Sequence, residues 1–140
     1  MDERKYVDWD YSMPGISFSL KSGRVTIFKT TLEVIGYPEF YRFLYNPNTK
    51  MMAIEPCAMN DHGAYALVNV KKEETYDVSS IAFVRMMYRE NGWDRRISYR
   101  IAGTPHRKEQ AVEFDLTFAL EIHEGRVAEK RPLDNSPQMV

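Results

Sequence analysis

Val25-Thr26-Ile27-Phe28-Lys29-Thr30-Thr31-Leu32-Glu33-Val34-Ile35-Gly36 is the stretch that decides how this chain is read. Val25 to Ile27 is a short β-branched run suited to a strand. Thr30 or Thr31 offers a hydroxyl to cap a helix, and Leu32 and Ile35, three apart, share one face of it. Gly36 and then Pro38 stop that helix. Two strand-like runs follow, Phe40-Tyr41-Arg42-Phe43-Leu44-Tyr45 and Met51-Met52-Ala53-Ile54, around the turn Asn46-Pro47-Asn48-Thr49. The order then recurs: Tyr76-Asp77-Val78, the cap Ser79-Ser80, a helix from Ile81 to Asn91 and the stop Gly92. The strands Ile97-Ser98-Tyr99-Arg100-Ile101 and Ala111-Val112-Glu113-Phe114 complete the second copy. Tyr41-Arg42 and Tyr99-Arg100 occupy the same place in the two copies.

A single β-α-β-β unit buries too little surface to stand alone. The reading is therefore an α+β fold, with two β-α-β-β repeats (about 16–56 and 75–120) packed as a pseudo-dimer around one β-rich, barrel-like core. Leu32, Ile35, Phe43 and Ile54 are expected to meet Ile81, Val84, Ile101 and Phe114 there. The second helix carries Ile81, Val84, Met87 and Tyr88 on its inward stripe, with Arg85, Arg89 and Glu90 opposite. Residues 1–128 read as one globular domain. Its N-terminal arm, residues 1–15, brings Tyr6, Trp9 and Tyr11 to dock on the body. Ile16 to Leu20 alternates as a strand does, and with Val25 to Ile27 it makes a hairpin about Lys21-Ser22-Gly23-Arg24. Ala64 to Val70 reads as a further strand, and Phe114 to Ile122 as a continuing strand or a short helix. From Glu124 the pattern dissolves, and residues 129–140, with Pro132 and Pro137, are expected to be a disordered tail.

With 140 residues, 44% of them hydrophobic, the chain supports one real core. Its 19 Lys+Arg balance 20 Asp+Glu, so no global field advertises a polyanionic partner. Cys57 is the single cysteine, which excludes an intrachain disulfide framework and a cysteine-rich zinc site. No apolar signal run opens the chain, and no stretch approaches the ~20 apolar residues of a membrane span. The expectation is a cytoplasmic protein without a membrane partner.

A search for reactive chemistry gives little. His62, His106 and His123 are far apart and never at helical ligand spacing, so no metal site is expected. Cys57 lies near His62, but lone small thiols are usually just packed. No glycine-rich phosphate cradle or GxSxG is present. Glu113 and Asp115 alternate along one strand, as a solvated face commonly does. No enzyme, no catalytic residue and no cofactor is expected.

Gly23-Arg24-Val25-Thr26-Ile27, Lys29, Leu32 and Ile35-Gly36, followed by an apolar strand, a turn and Met52-Ala53-Ile54, resemble the AbrB/MazE-type (SpoVT-AbrB) swapped-hairpin domain over residues 16–56. Phe28 stands where that family usually has proline, and the second copy lacks the Gly-Arg-Val turn. The resemblance implies intertwined strand pairs, duplex DNA as partner, and a bacterial regulator or antitoxin-like role. Two linked units in one chain would then form a pseudo-dimer.

Charge distribution adds an independent clue. Arg85, Arg89, Arg95, Arg96, Arg100, Arg107 and Lys108 crowd into one stretch, opposed only by Glu90 and Asp94. Arginine's planar fork suits phosphates and base edges. With Arg24 and Lys29 these are the candidate nucleic-acid contacts of a DNA-binding regulator. The alternative is a protein-interaction module without nucleic-acid binding, whose Tyr37, Tyr41, Phe43 and Tyr45 meet a partner chain or a second copy. A small-ligand or enzymatic barrel is a third class.

Overall fold

The computed structural model describes residues 5–72 and 74–129. Its elements, in chain order, are β1 (Tyr6–Val7), β2 (Gly15–Ser19), β3 (Arg24–Ile27), α1 (Lys29–Ile35), β4 (Phe40–Asn46), β5 (Met51–Pro56) and β6 (Tyr65–Ala66). They continue with β7 (Tyr76–Ser79), α2 (Ile81–Asn91), β8 (Ser98–His106), β9 (Ala111–Asp115), a 3-10 turn (Leu116–Phe118), β10 (Leu120–His123) and β11 (Arg126–Ala128). The fold is α+β, as the alternating patterns imply. Among the described residues, no helix is long and apolar enough to cross a membrane.

The strands form one antiparallel sheet with two wings that share β8. The first half of β8 pairs with β2 and β10, the second half with β9. One wing then runs β7-β3-β2-β8-β10-β11-β1, and the other runs β8-β9-β5-β4-β6. The expected barrel-like closure is not formed. β6 is two residues long and pairs only with β4, while β7 pairs only with β3, so the wings do not join there.

Strands of the two halves pair with one another. β3 lies antiparallel to β7, with Val25 opposite Val78, and β5 lies antiparallel to β9, with Ala53 opposite Glu113. β2 pairs with β8, while β6 pairs with β4. The hairpins β4–β5 and β8–β9 both turn through four residues, 47–50 and 107–110, and close on a left-handed residue, Lys50 or Gln110. Each turn reaches the helix end of the other half. Lys50 Nζ donates to the carbonyl of Glu90 at 2.8 Å, and the Gln110 side chain packs over Gly36, the stop of α1.

The core is one continuous cluster, and α1 packs against strands of both wings. Leu32, Ile35 and Ile54 do meet Val84, Ile101 and Phe114 in it, each burying side chain worth about 1.5–3 kcal/mol. Phe43 is half-buried on its border. Ile81 departs from expectation: it is 43% exposed, because as first residue of α2 it stands over Gly23 rather than facing inward.

Neither helix is capped by a side chain. Phe28 takes the cap position of α1, since the helix begins directly after β3, and Thr30 and Thr31 already lie within it. Thr30 Oγ1 instead donates to the carbonyl of Tyr11. Ser80 precedes α2, and its hydroxyl meets the Tyr65 hydroxyl at 3.1 Å. The arm docks through its aromatics, Trp9 and Tyr11 lying against Phe28 at 5.9 and 5.4 Å. The pattern past Glu124 does not dissolve at once. β11 pairs with β10 and β1, buries Val127 and Ala128, and leads to a bond from Glu129 N to the carbonyl of Lys5. The rest of the expected tail, from 130 on, lies outside the described residues.

Candidate nucleic-acid interface

Three segments converge beside α2. Arg85 projects one turn after Ile81 on the same side of the helix. The β2–β3 turn supplies Leu20 and Lys21, and the turn after Gly92 supplies Arg95 and Arg96. Together they line an open groove of about 510 Å³, with four cations on its polar rim and Leu20 and Ile81 as apolar wall.

Close approach of the backbone makes this groove. Gly23 has φ of +64°, a left-handed conformation that favours glycine, and a Cβ there would crowd Ile81, 2.9 Å from its Cδ1 and 3.2 Å from its Cβ, where α2 starts beside the hairpin. Beyond the helix, Trp93 stacks on Tyr99 at 4.8 Å, and Asp94 N donates to the Tyr99 hydroxyl at 2.9 Å. Tyr88 donates its hydroxyl to the carbonyls of Phe18 and Ile97, tying α2 to β2, and burial pushes its phenol up to about 12. The turn carrying the arginines is thus fixed to the core on both sides.

Asp94 is the carboxylate that pairs with Arg96 at the rim. Arg96 binds it through Nε at 3.1 Å and Nη2 at 2.9 Å, and the Arg96 backbone N–H adds a bond at 2.9 Å. The Arg96 side chain, then its backbone N–H, holds the Asp94 carboxyl down at about 2, and the same bond raises the Arg96 guanidinium. Asp94 stays ionised throughout the neutral range.

Of the residues singled out from the sequence, Arg85, Arg95 and Arg96 come together. Arg89 is exposed on α2 one turn beyond Arg85. Arg24 opens β3 and pairs with Asp77 at 3.4 Å. Lys29, the first residue of α1, lines a separate small cavity with Tyr11, Phe28, Glu74 and Thr75. Arg100 is tucked against the rings of Tyr11 and Phe28. Arg107 and Lys108 sit in the β8–β9 turn, beside the end of α1. Lys21 was missed, because nothing in the sequence links a hairpin turn to a helix 60 residues later.

Other reactive candidates are engaged individually. His106 meets Glu113 at 2.8 Å and His123 meets Glu121 at 2.9 Å. Asp115 caps the 3-10 turn by accepting from Thr117 N, apart from Glu113 in role. Burial raises the Cys57 thiol, and no group of three metal-binding side chains converges among the described residues. Tyr41 is buried and Phe43 stacks on Phe83 at 5.0 Å, so neither stands out as a surface aromatic. Comparison of the chain with protein-family models, curated proteins and solved structures returns no match, so the reading of this groove rests on its own geometry.

Proposed function

We propose that the protein is a nucleic-acid-binding module of the regulator or antitoxin-like kind, and that the groove beside α2 contacts duplex phosphates. The observation that carries this is the convergence of Lys21, Arg85, Arg95 and Arg96 from three separate segments on one concave surface. In a chain of near-neutral charge, such a local concentration, not the overall field, is what attracts a polyanion. Duplex is the better partner than single strand. The nearby aromatics Trp93 and Tyr99 stack on each other inside the fold and offer no platform for bases.

The architecture proposed with it is a pseudo-dimer of two β-α-β-β units. Equivalent strands pair across the halves, the hairpin turns match in length and closing conformation, and each turn touches the opposite helix end. These exchanges fit the swapped-hairpin resemblance of residues 16–56. The lone thiol fits a cytoplasmic setting.

Duplex affinity measured against salt tests the reading. The double variant Arg85→Ala/Arg95→Ala should weaken binding to all sequences and flatten the log–log salt slope by about 0.9 per lost phosphate contact. Arg107→Ala/Lys108→Ala, in the distant turn, should leave that slope alone. Failure of the intact protein to hold duplex at low salt would end the proposal.

A further inference from the structure

Arg100 stands in the middle of β8, opposite Ser17 of β2 and Leu120 of β10. Its neighbours Tyr99 and Ile101 belong to the core, so by strand alternation Arg100 lies on the opposite face. The guanidinium carbon is 5.6 Å from the ring centroids of both Tyr11 and Phe28. Its Nε and Nη1 are shut off from solvent and find no hydrogen-bond partner among the described residues. The indole Nε1 of Trp9, whose ring meets the edge of Phe28, is in the same condition.

Buried donors ordinarily find acceptors, and a covered guanidinium ordinarily finds a carboxylate. Aromatic faces attract the cation but accept far less strongly than oxygen. Among the described acids nearby, Asp8 pairs with Arg126, Asp10 with Ser12, and Asp77 with Thr26 and Arg24, while Glu74 lines the cavity of Tyr11 and Phe28 without bonding these donors. Three nitrogen donors, two of them on one permanent cation, therefore gather around Phe28 with no acceptor among the described residues.

We propose that the niche of Arg100 and Trp9 is an oxyanion site of the phosphate class, roofed by Tyr11. Donors scattered over two sides of a guanidinium and an indole suit a tetrahedral anion, whose oxygens point several ways, better than a planar carboxylate. Tyr11 is the part that yields on entry. It is 52% exposed and belongs to residues 8–14, which join no strand, and its carbonyl is held by Thr30 Oγ1 at 2.9 Å. The same chemistry serves a free phosphate or a nucleic-acid phosphate. This site is separate from the groove beside α2 and does not depend on it.

The test uses the full chain and inorganic phosphate, with chloride at equal ionic strength as control. In the unmodified protein the Trp9 indole N–H resonance should move with phosphate and saturate, a measurement that needs no variant to fold. With a Kd of about 1 mM, about 10 mM phosphate shifts the folding equilibrium roughly tenfold. Arg100→Gln should abolish that shift, while Arg85→Ala/Arg95→Ala should retain it. If duplex also moves the Trp9 resonance, and Arg100→Gln weakens duplex binding, the phosphate is that of nucleic acid. A response to phosphate alone assigns a free anion. A Trp9 resonance that phosphate leaves in place, or an Arg100→Gln variant stabilised as much as the parent, overturns the site.

Discussion

Thr31 is a fully buried polar side chain, and its hydroxyl is used twice. It accepts from Gly15 N at 2.8 Å and donates to the Gly15 carbonyl at 2.9 Å, so α1 is bonded to the first residue of β2. Thr31→Val keeps the shape and removes this partner from the Gly15 N–H, while the Gly15 carbonyl keeps the Phe28 N–H at 3.1 Å. It should cost about 1–3 kcal/mol in chemical denaturation with an unchanged denaturant slope. A loss within about 0.5 kcal/mol would mean that Gly15 is satisfied otherwise. The sequence marked Thr31 as a polar residue at a helix start, and that much was legible. Its role was not, because the helix begins two residues earlier, at Lys29, and the true partner lies sixteen residues upstream. Asp94 gives a pH test at the same scale. Its folded pKa of about 2 lies below the ordinary 3.8, chiefly through the Arg96 side chain. The group therefore contributes stability above about pH 4, and that contribution fades as pH falls toward 2. Asp94→Asn should remove this part of the acid sensitivity; an identical stability profile from pH 5 to 2 would show that the pair contributes nothing.

At the scale of elements, β8 shows why composition alone did not give the sheet. The sequence marks an apolar alternation around Tyr99 and Ile101, but β8 runs to His106 and changes partners on the way. The change falls at Gly103, whose N–H bonds to the carbonyl of Pro14 while its α-carbon faces Phe114 of β9. A Cβ there would stand 2.4 Å from Val112 Cγ1 and 2.7 Å from Phe114 Cε1, both side chains of the packed core. Gly103→Ala should destabilise by about 1–3 kcal/mol through overpacking. A melting temperature equal to the parent's would show that the two wings adjust freely at their junction. Helices and hairpins were legible from period and from their stops. β6 was legible as a strand over Ala64 to Val70 but is only two residues long. β1 and β11 were not legible, since strands of two or three residues carry no period and exist only through distant partners.

For the whole molecule, the groove was legible only as an arginine-rich stretch. Sequence proximity grouped Arg100, Arg107 and Lys108 with Arg95, whereas the fold disperses them and recruits Lys21 from the other half. The same exchange between halves makes the strongest test of the proposed pseudo-dimer. Of the pairings in the sheet, β3–β7, β5–β9 and β2–β8 all cross from one half to the other. The core is likewise one cluster drawn from both. A chain of about 60 residues buries only about 60% of its surface, against about 70% for one of 150, so each half alone is marginal even before its strands lose partners. Cutting between Val70 and Lys71 severs the loop between β6 and β7 and breaks no strand. The two fragments should each lack cooperative unfolding when separate. Mixed in equal amounts, they should regain the near-ultraviolet signal of the aromatic core and melt as one unit, with a midpoint that rises with concentration. A fragment that melts cooperatively by itself would show that its core is its own. The strand exchange would then be a contact between two folded units, and the pseudo-dimer reading would fall.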